Sequence, residues 1–153
     1  MTLLISACLL GTPCRYDGQS KPLDPGVLDA LGEAYTLIPV CPECLGGLPT
    51  PRHPSERVGE RVVMNTGEDV TDAYRRGAEA ALSQAREHGC TLALLKERSP
   101  SCGSGQIYDG SFTGTLTRGD GVTAGLLKAR GVEVYGESRV QELLENADKR
   151  PLL

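Results

Sequence analysis

The chain has 153 residues, of which 39% are apolar and 4% aromatic, with 19 glycines, 10 prolines, six cysteines and no tryptophan. This length and composition predict a globular protein with long loops rather than a helical bundle. The net charge of −4 gives no electrostatic reason to expect a nucleic acid or an anionic membrane as partner, and no apolar run is long enough to span a bilayer.

The N-terminal segment does not have the pattern of a signal peptide. It lacks a basic leading region, and its apolar stretch is interrupted by Ser6 and followed by Gly-Thr-Pro. We interpret residues 2–10 as the first buried strand and predict a cytoplasmic protein whose thiols stay reduced. Six cysteines in such a protein are more typical of metal binding or catalysis than of disulfides.

Apolar runs bounded by turn-forming residues predict five strands. The first is nearly continuous in its apolar character, as expected for a strand that is covered on both faces of a parallel sheet. The predicted strands cover residues 2–10, 35–40, 61–65, 90–97 and 132–136.

Helical spacing of apolar residues, together with typical start and end residues, predicts four helices. Asp24 followed by Pro25 is a typical helix start, and Gly32 contributes to the predicted end of that helix. The others cover residues 69–88, 122–130 and 139–150. Two long loops remain, residues 43–57 and about twenty residues after Glu97.

Strands that alternate with helices predict right-handed crossovers and a mostly parallel sheet with helices on both faces. We therefore expect a single three-layer α/β/α domain, Rossmann- or flavodoxin-like, over residues 1–153. In such sheets ligands bind outside the carboxyl ends of the strands.

The cysteines follow that expectation. Cys8, Cys41 and Cys102 each lie at or just after the end of a predicted strand, so three thiols that are distant in sequence should converge. Cys14 is a fourth candidate for the same region. Cys90 opens a strand at the opposite edge of the sheet and is most simply a core thiol.

Several kinds of site compete for these thiols. Cys41 and Cys44 form a CxxC pair, which is half of a structural zinc site, but a second pair is absent. A thioredoxin-like redox pair needs CxxC at a helix start, whereas residues that break helices follow this one. A lone nucleophile at Cys102 needs a histidine base, and the chain offers His53 and His88. The fourth alternative is an iron–sulfur cluster held by three cysteines, with one iron left without a protein ligand.

Five motifs in matching order resemble the thiouracil desulfurase family, and together they extend from Ser6 to Leu127. They read SACLLGTPCRYDG, VCPECLGGLPTPR, GEDVTDAYRRGA, LLKERSPSCGSGQIYDGSFTG and GDGVTAGLL. The resemblance implies a small α/β enzyme, here one desulfurase-like domain over residues 1–153. It also implies a 4Fe–4S cluster held by three cysteines and the removal of sulfur from thiolated uracil.

Carried over by motif, the resemblance assigns the cluster ligands to Cys8, Cys41 and Cys102, with Cys14 as the alternative third ligand. Cys44 stands where the family often has another residue type, so we do not expect it to be a ligand. The implied reaction is a non-redox hydrolysis in which the thiocarbonyl sulfur binds the iron that lacks a protein ligand.

Two further residues are assigned to catalysis on this basis. Glu43, two residues after Cys41, is expected to activate water or protonate the leaving group. Ser101, adjacent to Cys102, is expected to orient substrate or water. Gly103 and Gly105 are expected to let backbone amides approach cluster sulfides or substrate oxygens, and Arg52 and Lys96 are lesser candidates.

The expected partner is a small thiolated pyrimidine, either 2- or 4-thiouracil. The rival from another functional class is a zinc- or cluster-binding accessory protein that delivers sulfur or metal without catalysis. A desulfurase that acts on thiolated bases within RNA is a third alternative, and the acidic charge balance argues against it. The sequence does not determine the oligomeric state.

Overall fold

A computed structural model describes residues 1–148 of the chain. The strands are β1 (Thr2–Ser6), β2 (Thr36–Val40), β3 (Ser55–Val58), β4 (Arg61–Met64), β5 (Leu92–Leu95), β6 (Gln106–Tyr108), β7 (Leu116–Arg118) and β8 (Glu133–Gly136). The helices are α1 (Pro25–Ala34), α2 (Pro42–Leu45), α3 (Thr71–Glu87), α4 (Val122–Ala129) and α5 (Val140–Asp148).

Four parallel strands form the central sheet in the order β2-β1-β5-β8. Counted along the sheet alone, this is the 2-1-3-4 order of flavodoxin-like folds, in which the chain reverses its winding direction between the first and third strands. The predicted mostly parallel sheet flanked by helices is therefore confirmed. The reversal lies between β1 and β5, so a crevice is expected at their carboxyl ends.

Alternate residues of the sheet face two separate cores. Leu3 and Ile5 face the layer of α1 and α5, which contributes Leu31 and Leu143. Leu4 faces the opposite core, where α3 and α4 contribute side chains that include those of Leu82, Ala85, Ala124 and Leu127. Because both faces are covered, the central strands β1 and β5 are apolar along most of their length. Cys90 is buried in the second core, as expected.

The first strand is shorter than predicted. It ends at Ser6, and Ala7–Leu10 form a 3₁₀ turn that Gly11 closes in a left-handed conformation with φ 103°. The apolar side chains of this turn are still largely buried, so the apolar run alone could not distinguish strand from turn.

The first helix begins as predicted and ends later. The Asp24 side chain accepts a hydrogen bond from Gly26 N at 2.9 Å, and Pro25 is the first helical residue. The prediction that Gly32 helps to end the helix is wrong. The helix continues to Ala34 and stops where Tyr35 adopts an extended backbone.

Each segment predicted as a loop contains residues of an antiparallel hairpin. The expected strand near residues 61–65 is present as β4, and it pairs with β3 from within the first predicted loop. The second loop contains the β6–β7 pair. The unpredicted strands are β3, β6 and β7. They are three or four residues long and carry polar or exposed positions, so the sequence shows no clear apolar run there.

The CxxC segment forms a short helix, contrary to the prediction that it would not begin one. Cys41 is the N-cap of the one-turn helix α2, and Pro42 supplies a backbone angle suited to its first position. This helix packs closely on α3, because a Cβ at Gly46 would collide with the carbonyl of Ala73. Likewise, a Cβ at Gly77 would collide with the carbonyl of Pro42.

The last helix was predicted over residues 139–150. Arg139 belongs to a preceding 3₁₀ turn, the helix is present over Val140–Asp148, and residues 149–150 lie outside the described residues. Within residues 1–148, no helix has the length and apolar character needed to cross a membrane.

Candidate active site

A cavity of about 910 Å³ opens at the carboxyl ends of β1, β2 and β5. The segments that follow these three strands contribute Cys8, Cys41 and Cys102 to its lining. Since the chain reverses its winding direction between β1 and β5, this is where a flavodoxin-like sheet is expected to bind a ligand. Three cysteines that are distant in sequence therefore line one cavity, as predicted.

Cys8 lies in the 3₁₀ turn after β1 and is 7% exposed. Burial raises the pKa of its thiol to about 11, and the neighbouring Cys14 raises it further. Two backbone amides, those of Gly11 and Lys21, donate hydrogen bonds to the Cys8 carbonyl at 3.2 and 3.0 Å. The thiol is therefore held on a fixed backbone, and a cation or metal would favour its deprotonation.

Cys102 lies in a tight turn after β5. Its backbone N–H donates to Ser99 Oγ at 3.1 Å, and its side chain is buried. Burial raises the pKa of the thiol to about 12, with smaller contributions in the same direction from Glu43 and Cys8. Glu43 and Cys8 therefore both lie close enough to Cys102 to raise the pKa of its thiol.

Cys41 faces the same cavity from the start of α2. Its Sγ lies 3.7 Å from the carbonyl oxygen of Cys14, and burial raises the pKa of its thiol well above the ordinary value. Cys14 also lines the cavity, and burial is the main cause of its raised pKa. The geometry thus brings Cys14 to the site as well, and its role as the alternative third ligand stays a prediction.

Cys44 differs from the other thiols near the site. It is exposed, does not line the cavity, and its Sγ lies 3.5 Å from Thr50 Oγ1 and 4.0 Å from the Cys14 carbonyl. This position is consistent with the expectation that it is not a ligand.

Glu43 lies on α2 and lines the cavity with Arg52. Arg52 Nη2 is 2.7 Å from Glu43 Oε2, and their side chains are 3% and 15% exposed respectively. Arg52 also donates to the carbonyls of Cys14 and Pro49 and to Thr50 Oγ1 at 3.0 to 3.2 Å. Burial lowers the pKa of the guanidinium, but Glu43, with Cys41 and Cys44, raises it above its ordinary value overall, so the guanidinium keeps its charge.

Tyr74 is a residue of the cavity wall that the sequence indicated only as part of the apolar face of a helix. The structure buries it at 2% exposure in the wall of the cavity. Its pKa lies well above the ordinary value, mainly because of burial and further because Glu43 is close. The sequence did contain one indication of this position. Tyr74 carries a hydroxyl on a helix face made mostly of alanine and leucine, and a buried tyrosine oxygen usually needs a polar partner.

The structure does not place Ser101 in the cavity wall. Its side chain is 1% exposed, and its hydroxyl lies 2.9 Å from Thr123 Oγ1 on α4. It also lies close enough to the Cys102 thiol to lower its pKa. The hydroxyl is directed into the protein beside Cys102, and its expected role in orienting substrate or water stays a prediction.

The two glycines after Cys102 likewise do not offer free amides. Gly103 N donates to the carbonyl of Ser99 at 2.9 Å, and Gly105 N donates to Asp120 Oδ1 at 2.8 Å. Both amides are thus paired within the protein, and the expectation that these glycines let backbone amides approach a cluster or substrate stays a prediction. Gly103 is also needed for packing, because a Cβ there would lie 2.7 Å from the Ser99 carbonyl.

The other kinds of site weighed for the thiols find less support. His53 and His88 are exposed and do not line the cavity, so neither is placed as a base for Cys102. Among residues 1–148, no three His, Cys, Asp or Glu side chains come close enough together to hold a single metal ion. A zinc site built on Cys41 and Cys44 would lack its remaining ligands there.

Comparisons with known proteins agree with this geometry. Residues 3–139 match the family described as 2-thiouracil desulfurase. The uncharacterized protein YbbK of Bacillus subtilis (strain 168) is 40% identical over 152 residues, covering 93% of this chain and 99% of that protein. A solved structure described as the 4Fe–4S-dependent thiouracil desulfidase TudS superposes with a TM-score of 0.91 at 50% identity, covering 96% of this chain and 97% of that one. The chain belongs to the 2-thiouracil desulfurase family.

Proposed function

We propose that the chain is a 4Fe–4S-dependent, non-redox desulfurase that converts 2- or 4-thiouracil to uracil. The carbon–sulfur double bond is replaced by carbon–oxygen, water supplies the oxygen, and sulfur leaves as hydrogen sulfide, so no electron donor is required. Support comes from the family match and from the solved TudS structure, which is described as a 4Fe–4S-dependent thiouracil desulfidase. The observation that carries the proposal is the convergence of Cys8, Cys41 and Cys102 on one cavity.

The donor set of the cavity fits such a cluster. Its thiols are soft ligands, which favour iron–sulfur clusters over hard cations. Each of the three comes from a different strand end, and all three line the same cavity. We assign Cys8, Cys41 and Cys102 as the ligands, with Cys14 as the alternative third. When bound, a cluster with one iron free of protein ligands supplies a Lewis acid for the thiocarbonyl sulfur.

Glu43 supplies the proton chemistry in this proposal. Its carboxylate lines the cavity near Cys102, and Arg52 holds it by a short ion pair. In this position Glu43 Oε accepts a proton from the attacking water and then returns it to the departing sulfur. Arg52 fixes the carboxylate because its guanidinium also donates hydrogen bonds to the Cys14 and Pro49 carbonyls, which hold the guanidinium in place.

Ser101 has a different place in the mechanism from the one its sequence position suggested. We propose that its hydroxyl, paired with Thr123, fixes the turn that carries Cys102. A direct contact with substrate would require the hydroxyl to leave Thr123 and turn toward the cavity.

The cytoplasmic location stays a prediction from the sequence.

Sulfide release tests the proposed function. Protein reconstituted anaerobically with iron and sulfide should release hydrogen sulfide from 2-thiouracil or 4-thiouracil and form uracil in equal amount. Glu43→Gln should retain the brown chromophore and lose turnover, which separates proton transfer from cluster binding. A fully loaded protein that releases no sulfide from either compound would instead favour a carrier without catalysis.

A further inference from the structure

One part of the cavity is not used by the proposed chemistry, and it contains an unsatisfied polar group. Ser55 Oγ, at the start of β3, is buried and has no hydrogen-bond partner among the described residues, yet Ser55 lines the cavity. Buried hydroxyls are almost always paired, because leaving one unpaired loses its hydrogen bonds to water. Because Ser55 lines the cavity, a ligand bound there would be within reach of this hydroxyl.

The surroundings of Ser55 place it near the reacting group. The hydroxyl of Tyr74 lies close enough to Ser55 for their side-chain contact to lower the pKa of Tyr74, but the contact falls outside the geometry of a full hydrogen bond. The same Tyr74 hydroxyl lies close to Glu43, and Glu43 in turn influences Cys102. Ser55 therefore lies in the wall next to the carboxylate that is proposed to activate water.

An aromatic side chain lies at the edge of the same cavity. Phe112 is the only phenylalanine of the chain, yet it is 38% exposed and lines the cavity rather than packing in a core. Its backbone has φ 58°, in the left-handed region that phenylalanine rarely adopts. Such conformations persist only where the surroundings enforce them, and they cluster at ligand sites.

A buried carboxylate enforces this conformation. Glu56 Oε1, on β3 directly after Ser55, accepts hydrogen bonds from Gly110 N at 2.9 Å and from Phe112 N at 3.1 Å. Glu56 is 8% exposed. One strand thus positions both the free hydroxyl of Ser55 and the loop that presents the Phe112 ring.

We propose that Ser55 and Phe112 form the subsite that recognises the pyrimidine ring, with Phe112 stacking on its face and Ser55 Oγ hydrogen-bonding a ring carbonyl or imide N–H. This inference rests on the proposed function and names the residues that select its substrate. A hydroxyl both donates and accepts, so it can pair with either group of the ring edge. A planar ring without charge suits stacking on an aromatic face.

The test compares Ser55→Ala and Phe112→Ala with wild type in anaerobically reconstituted protein. Calorimetry measures the dissociation constant of uracil, and kinetics measure KM and kcat for the thiouracil that wild type turns over. Each variant should weaken uracil binding and raise KM about tenfold. The kcat should stay within about threefold, and iron content should be unchanged. Ser83→Ala, which removes an exposed hydroxyl on α3 outside the cavity, should match wild type, and Phe112→Tyr should retain binding.

Thermal stability separates a binding role from a structural one. Ser55→Ala removes a hydroxyl without a protein partner, so its melting temperature should equal or exceed that of wild type. A lowered melting temperature with unchanged KM would overturn the assignment, as would wild-type uracil affinity and KM in both alanine variants. If wild type turns over thiouracil while the variants are unaffected, only the subsite fails. If loaded wild type neither binds uracil nor releases sulfide, the proposed function itself fails.

Discussion

Arg52 Nη2 lies 2.7 Å from Glu43 Oε2, and the arginine side chain is almost completely shielded from solvent, at 3% exposure. The same guanidinium donates to the carbonyl of Cys14 at 3.0 Å. One side chain therefore joins the proposed proton-transfer group to the loop of a cavity thiol, so its loss should affect both.

The first prediction concerns this ion pair. Arg52→Gln should lower the free energy of unfolding by about 3 kcal/mol, because a largely buried carboxylate loses its cation. Turnover should fall at least tenfold. Arg52→Lys should restore part of both, since lysine keeps the charge but not the fork. Arg139→Gln, which breaks the exposed pair with Glu142, is the matched control and should change stability little. Equal effects of the two glutamine variants in urea unfolding would contradict this account.

The second prediction concerns the contact between α2 and α3. Gly77→Ala should destabilise the fold by about 1–3 kcal/mol, because the new Cβ meets the carbonyl of Pro42 and backbone cannot move aside like a side chain. It should also reduce iron content on reconstitution, since α2 follows Cys41 directly.

The control for this prediction is another helical glycine. A Cβ at Gly32, in the last turn of α1, would meet nothing within 4 Å. Gly32→Ala should therefore stabilise the protein by about 0.5–1 kcal/mol and leave iron content unchanged. Thermal unfolding and iron analysis of both variants provide the check, and Gly77→Ala with wild-type values for both would refute the packing argument.

The third prediction concerns pH. Asp69 accepts hydrogen bonds from Thr71 Oγ1 and Thr71 N and pairs with Arg61, and these contacts lower its pKa from 3.8 to about 2. Because the folded-state pKa lies below the unfolded one, its stabilisation is fully present above about pH 4 and is lost as pH falls through about pH 2.

Melting curves across pH test this directly. Asp69→Ala should melt below wild type at neutral pH, and the gap should close on acidification toward about pH 2. Asp29→Ala, at an exposed position of α1, should leave the shape of the pH dependence unchanged. A gap for Asp69→Ala that stays constant with pH would show that the carboxylate charge is not what stabilises this turn.

The fourth prediction concerns Ser101. If its hydroxyl fixes the Cys102 turn through Thr123, Ser101→Ala and Thr123→Val should lower melting temperature and iron content together, with turnover per bound cluster little changed. Iron analysis beside kinetics measures this. A Ser101→Ala protein with full iron content and no turnover would restore the direct catalytic role suggested by the sequence.

The sequence predicted the parts of this molecule that depend on strong patterns. Apolar runs located the central strands, and the rule that parallel strands end at a common edge predicted that Cys8, Cys41 and Cys102 would meet. Helical spacing with an Asp-Pro start located α1 closely, although Gly32 proved compatible with the helix interior.

The rest depended on contacts between distant residues. The direction of the Ser101 hydroxyl is set by Thr123, 22 positions away, and the amides of Gly103 and Gly105 are taken by Ser99 and Asp120. No local pattern reports such partners. The placement of Phe112 likewise depends on Glu56, which belongs to β3, a strand that had no clear apolar signal.

The central claim is that three cysteines from separate strand ends hold one cluster, and iron and acid-labile sulfide analysis of reconstituted variants tests it most directly. Wild type, Cys44→Ser and Cys90→Ser should each hold about four irons per chain. Cys8→Ala, Cys41→Ala and Cys102→Ala should lose the chromophore and most of the iron. Wild-type iron content in all three of these alanine variants would contradict the account.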